Sequence, residues 1–331
     1  MKYDYYADNR LKTVTDWAYR VTTYEYYPNG LLWRTIRPNS TVQTLEYDAA
    51  GQLTRLRDVD GSGSVIAQYD YTYRDNGNIA AEQSSVEEIA LDMPDTVMTY
   101  TYENRIATYN GQPVEYDADG NMTVGPLNGV MAAYTYDARN RLVSTGDLSY
   151  IYDAENNRIG VIEGVYRTDY VINPHAPLSQ VLVKTGAEGN QIYYIYGLGL
   201  IAQEENGAYR TYHYDLRGST VALTDENGAV TDRFWYGPYG ELVHQTGSTS
   251  TPFLYNGRDG VMTDENGLLY MRARYYNPEV RRFVNQDALL GDISDGQSMN
   301  RYAYVEGNPV KYVDPMGLWT KEVHKDNPDV P

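Results

Sequence analysis

Tyr136-Asp137-Ala138-Arg139-Asn140-Arg141-Leu142 is the stretch that decides how this chain folds. The residues leading into it, Tyr134-Thr135-Tyr136, alternate as a half-buried strand does. Asp137 opens a turn through its side-chain oxygen, and Asn140 tolerates the left-handed conformation that a tight hairpin needs. Arg141-Leu142 then starts the return strand, so an aromatic on one strand and an aliphatic on the next share a face.

The same phrase recurs along the chain. Tyr5, Tyr26 and Tyr47 stand 21 residues apart, each followed by a small turn and an apolar residue. Later copies begin at Tyr73, Tyr116 and Tyr152. Self-similarity near a 20-residue period marks a repeat architecture. A lone hairpin is marginal in water, so the repeats must lie side by side as a continuous sheet. The pattern predicts an all-β fold, without one compact central core and without a helix longer than about three turns. Residues 1–318 offer too little hairpin area to enclose a whole domain, so an open or partial shell, or a small barrel-like coil, is expected.

Composition narrows the function. The chain has 36 Tyr and only 3 Phe, which points to side chains packed on one side and wet on the other. A net charge of −18 repels phosphate backbones and anionic membranes, so nucleic acid is not an expected partner. Acidic loops that keep a large β protein soluble account for it, and an acidic lumen for basic cargo is the sharper alternative. With no cysteine, disulfides and thiolate metal sites are excluded. His175, His213, His244 and His324 are scattered and suggest no metal site, and no cofactor is called for. Asp58-Val59-Asp60-Gly61-Ser62-Gly63-Ser64 opens like a calcium loop, but its twelfth position is Tyr69 instead of Glu, so it reads as a hairpin tip. The tyrosine array invites sugar stacking, yet each ring already has a packing role. The first residues form no apolar run of the signal-peptide kind, and no stretch approaches the ~18 apolar residues of a membrane span.

The texture changes near residue 210. Asp225-Glu226-Asn227-Gly228 and Asp264-Glu265-Asn266-Gly267 are near-identical tips 39 residues apart, and Phe234, Phe253 and Phe283 all lie in this later part. The expected organisation is a hairpin strip over 1–210, a distinct segment over 211–318, and unrelated residues over 319–331.

That segment resembles the core associated with RHS repeats, and the hairpins resemble YD repeats. The resemblance rests on Tyr214-Asp215-Leu216-Arg217-Gly218, Tyr236-Gly237-Pro238-Tyr239-Gly240 and Tyr255-Asn256-Gly257-Arg258-Asp259. It continues in Leu269-Tyr270-Met271-Arg272-Ala273-Arg274-Tyr275-Tyr276-Asn277-Pro278, Arg282-Phe283-Val284-Asn285-Gln286-Asp287, Asn300-Arg301-Tyr302 and Asp314-Pro315-Met316-Gly317-Leu318. The resemblance implies a spiral β-strip wound into a hollow shell and closed by the core segment. It implies an aspartyl autoprotease that cuts once, in cis, between Leu318 and Trp319, leaving a C-terminal toxin caged in the shell. The implied partners are that toxin as cargo, with a secretion apparatus or other shell subunits as further candidates. The implied setting is secreted or at a bacterial cell surface, in bacterial competition.

Hydrolysis by carboxylates needs two that share a site. Asp314 matches the family motif together with Pro315 and Gly317, and Arg301 matches an arginine placed to keep it ionised or to steady an oxyanion. Some members of the family place an Asp where this chain has Tyr304. Asp287, Asp292, Asp295 and Glu306 are the candidates for the second carboxylate, and the context of Asp287 favours it. The alternative function is a non-cleaving structural or adhesive scaffold.

Overall fold

The computed structural model describes residues 1–87, 89–90, 95–294 and 296–323. Strand makes up 48% of it and helix 2%, as the hairpin pattern predicts. An eight-stranded sheet runs from Lys2–Tyr5 to Ile79–Ser84. A three-stranded sheet, from Met98–Tyr100 to Gln112–Pro113, leads into a fourteen-stranded one that runs from Glu115–Tyr116 to Leu242–Thr246. Four short strands between Met262–Thr263 and Arg282–Phe283 follow, and Tyr312–Val313 pairs with Lys321–Glu322. Neighbours in sequence are neighbours in each sheet, every ladder is antiparallel, and the strip does not close into a barrel. Residue 210 falls within the strand Ala208–Tyr214 of the long sheet.

The turns work as their sequence requires. Asp137 Oδ1 accepts from the backbone N–H of Arg139 (2.9 Å) and Arg141 (3.1 Å), and Asn140 takes φ 59°. Asp48, Asp60, Asp117, Asp153 and Asp225 repeat this pair of bonds. Residues 58–64 are therefore a hairpin tip. The Asp60 carboxylate caps its own turn, and Asp58 points the other way, into a buried network.

The excess of tyrosine over phenylalanine has a specific cause. Tyr26, Tyr73, Tyr152, Tyr214 and Tyr236 donate their hydroxyls to the backbone carbonyls of Leu11, Leu53, Leu142, Leu200 and Thr220, at 2.6–2.8 Å. In each case the ladder between the two strands involved starts two residues beyond that carbonyl, at Thr13, Arg55, Ser144, Ala202 and Ala222. The strands splay where each hairpin turns, and the hydroxyl reaches the carbonyl that the ladder leaves behind. Seventeen of the 36 tyrosines are buried, whereas Tyr26, Tyr73, Tyr152 and Tyr236 are half-buried, with the ring packed and the hydroxyl bonded to backbone.

The eight-stranded sheet packs on the long one through Leu11, Val14 and Tyr24 against Ile195, Ile201, Ala202 and Tyr209. Beside them, Asp58 receives Arg37 (2.7 Å) and His213 (3.1 Å), and His213 also meets Thr224 (2.9 Å). Burial lowers the His213 pKa. For Asp58 burial acts in the opposite sense, but Arg37 and His213 prevail and hold its pKa at about 2.

Among the described residues the buried hydrophobics form four separate clusters and no single central core, and the core segment packs against the strip. Phe253, Leu254, Met262, Leu268, Tyr275, Val280 and Val284 pack with Tyr134, Leu148, Tyr194, Tyr212 and Phe234 in the largest apolar cluster. Arg158, buried and ion-paired to Asp264 at 2.6 Å, ties the strip to this segment inside a ring of Tyr150, Tyr170, Tyr270 and Tyr275. A cavity of about 1070 Å³ remains, bordered by Tyr109, Glu163, Tyr170, Phe234, Thr251 and Glu279. That is the size of a small-molecule site, far too small for a folded domain.

Candidate self-cleavage site

The segment Asp314–Leu318 lies against the hairpin formed by Leu269–Met271 and Arg274–Asn277. Met316 O accepts from Ala273 N at 3.1 Å, and Gly317 O accepts from Arg274 Nε. Gly317 sits at φ 70°, and a Cβ there would come within 2.6 Å of Met271 O and 3.1 Å of Arg274 N. Both the left-handed backbone and the close approach require glycine. Pro315 is buried, and its carbonyl accepts from Arg272 Nη1 at 2.6 Å.

This packing turns the Asp314 carboxyl inward, where it is 2% exposed. Its Oδ1 accepts from the backbone nitrogens of Leu318 (3.1 Å) and Trp319 (3.3 Å). The second of these is the nitrogen of the Leu318–Trp319 peptide bond. Burial pushes the Asp314 pKa up to about 6, against the opposing pull of Arg274 and the amides of Leu318, Trp319 and Gly317.

Arg274 organises the site. One of its terminal nitrogens, Nη2, is 2.6 Å from Asp287 Oδ2 and 3.8 Å from Asp314 Oδ2. Nη1 donates to Arg301 O at 3.0 Å, and the guanidinium lies 3.6 Å over the Phe283 ring. Burial lowers the Arg274 pKa to about 10, against the two aspartates. The fold thus brings Asp287 and Asp314, 27 residues apart in the sequence, onto one guanidinium.

Arg301 is placed differently from its anticipated role beside Asp314. Its Nε and Nη2 donate to the Asp287 carbonyl, and Asp287 N donates back to Arg301 O at 2.9 Å. It fixes the loop that carries Asp287. Tyr304 is buried in an aromatic cluster, 4.3 Å from Tyr276, with its hydroxyl donating to Asn256 at 2.8 Å. Asp292 caps its own exposed loop through Ser294, and Asp295 and His324 lie outside the described residues. Arg274 is the site member that sequence reasoning passed over. It stands inside a quoted motif, but only the fold shows that it faces both carboxylates. Beyond the bond, Lys321–Glu322 pairs with Tyr312–Val313, and Val323 is buried against Leu45, Leu53, Leu56 and Val313.

Comparison with known proteins agrees with this architecture. Residues 46–310 match the teneurin YD-shell family and residues 26–62 the RHS repeat. The tRNA nuclease WapA of Bacillus subtilis is 30% identical over 81% of this chain, which covers 12% of that protein. The toxin protein Tse5 of Pseudomonas aeruginosa is 25% identical over 96% of this chain and 27% of its own length. The chain therefore spans only about an eighth to a quarter of these relatives. The crystal structure of TcdB2-TccC3-Cdc42 superposes with a TM-score of 0.68 over 96% of this chain and 20% of that one, at 16% identity. With the family match covering most of its length, the chain belongs to the teneurin YD-shell family.

Proposed function

We propose that this chain is the shell portion of a polymorphic toxin, and that it hydrolyses its own Leu318–Trp319 bond. The observation that carries the reading is the 3.3 Å contact between Asp314 Oδ1 and the Trp319 nitrogen, the atom that must gain a proton as the bond breaks. Water adds to the Leu318 carbonyl carbon, and Asp287, ion-paired to Arg274, takes its proton. Protonated Asp314 then donates to the departing nitrogen. One water is consumed, and the products are a Leu318 carboxyl and a Trp319 amine. A carboxyl with its pKa raised to about 6 keeps a usable protonated fraction near neutrality.

On this reading residues 1–210 are the hairpin strip, 211–318 the cutting core, and 319–331 the stub of a variable toxin region. The toxin is the cargo, delivered by a secreted or surface-displayed protein. The relative named toxin protein Tse5 supports this assignment. One observation favours a passive scaffold instead: two amide bonds to one aspartate oxygen are also what a turn-capping residue makes. Asp314→Asn separates the two readings, because it keeps the shape and removes the acid. Loss of cleavage in Asp314→Asn and in Asp287→Asn is expected, and a fragment ending at Leu318 from Asp314→Asn rejects the aspartyl mechanism.

A further inference from the structure

Arg272 is half-buried, yet no carboxylate lies within ion-pairing distance of it among the described residues. Its guanidinium is spent on neutral oxygens: Pro315 O (2.6 Å), Ser179 Oγ (3.1 Å), Ser179 O (2.8 Å) and Asp259 O (2.8 Å). Its backbone is left-handed, at φ 55°, which an arginine adopts only when the surroundings enforce it. Room for the guanidinium is made by Gly260, where a Cβ would lie 2.6 Å from Arg272 Nη2.

The geometry has a direction. Arg272 Nη1, Ala273 N and Arg274 Nε donate to the carbonyls of Pro315, Met316 and Gly317. Three consecutive residues of the hairpin turn thus hold three consecutive carbonyls of the segment leading to Leu318. Asp314 stands immediately before those carbonyls, and the bond it reaches stands immediately after them. The first of the three donors, Arg272, is the left-handed residue of this turn.

We infer that Arg272 is a positioning residue for self-cleavage, holding the Pro315–Gly317 backbone so that Asp314 meets the Trp319 nitrogen. The inference rests on the cleavage reading above. It does not touch the reacting atoms, and its effect runs through Asp314. A displacement of the order of 1 Å at a reacting centre costs roughly 100-fold in rate, so loss of the Pro315 contact slows cutting by ten- to a hundredfold. Arg272→Lys keeps the charge but cannot serve Pro315, Ser179 and Asp259 at once, and it falls between.

The test measures the cleavage rate of the full chain after dilution from denaturant, with Arg272→Gly, Arg272→Ala and Arg272→Lys compared. Glycine accepts φ 55° without strain, so Arg272→Gly keeps the backbone and removes only the clamp. Near-ultraviolet circular dichroism checks that each variant folds. The second readout is the pH at which the rate falls by half on the alkaline side. The groups facing Asp314 are Arg274, with Asp287 and Arg301 behind it, and Tyr304, none of which is altered. The Leu318 and Trp319 amides pull the Asp314 pKa down. Loosening them shifts that midpoint upward in Arg272→Gly, which a purely structural role does not do. Slowed cutting in folded Arg272→Gly with a raised midpoint supports the inference. Wild-type rate and midpoint in Arg272→Gly overturn it while leaving self-cleavage standing. A wild-type chain that never cuts overturns both.

Discussion

Replacing Tyr214 by Phe isolates the bond that explains this chain's tyrosine content. The Tyr214 hydroxyl donates to Leu200 O at 2.7 Å, and both residues are buried. Burial raises the Tyr214 pKa far above that of a free phenol, as for a hydroxyl cut off from water. Phenylalanine fills the same ring volume, so packing survives, and the change removes one hydrogen bond from a dry carbonyl. The net bond is worth about 1 kcal/mol, and a carbonyl left dry without this donor raises the cost toward 3 kcal/mol. Tyr26 makes the equivalent 2.8 Å bond to Leu11 O but is only half-buried, so water can replace the hydroxyl. Its Phe variant should lose about 0.5 kcal/mol. Urea unfolding followed by tryptophan fluorescence measures both, with the slope m expected to stay constant while the midpoint moves. Equal stability of Tyr214→Phe and wild type, or a larger loss in Tyr26→Phe than in Tyr214→Phe, refutes the reasoning.

Two further outcomes follow from the site. Cutting that needs protonated Asp314 should slow about tenfold per pH unit once pH rises well above 6, the value to which burial pushes its pKa; a rate flat from pH 6 to 9 contradicts the acid role. After cleavage the tail should stay on the shell, because Lys321–Glu322 remains paired to Tyr312–Val313, Val323 N bonds Lys311 O at 2.9 Å and Val323 stays buried. Burial of that valine contributes about 1.5–3 kcal/mol. Native mass spectrometry of cleaved protein should show both pieces together, Val323→Asp should release the tail, and a wild-type tail already lost under native conditions defeats the idea.

The hairpins were legible because each carries its own local chemistry. An Asp that can cap two amides, followed by Asn or Gly at the left-handed position, specifies a turn with no help from the rest of the chain. Asp314 and Asp287 stand in motifs that single them out, and the fold places both near Arg274. What was not legible depends on distant parts meeting. The role of the repeat hydroxyls appears only when the ladders are seen to stop two residues short. Arg301 stands close to Asp314 in sequence, but the fold turns it toward the Asp287 carbonyl. Arg274 lies 40 residues before Asp314, and no spacing rule links them. Which residues of 253–284 pack against the strip depends likewise on a separate part of the chain.

The most direct test of the central claim is the mass of the purified wild-type chain under denaturing conditions. Two species that together make up the chain plus one water are expected, one ending at Leu318 and the other beginning at Trp319, with Asp314→Asn giving a single uncut mass. A wild-type chain that remains one intact species after prolonged incubation near pH 6 contradicts it.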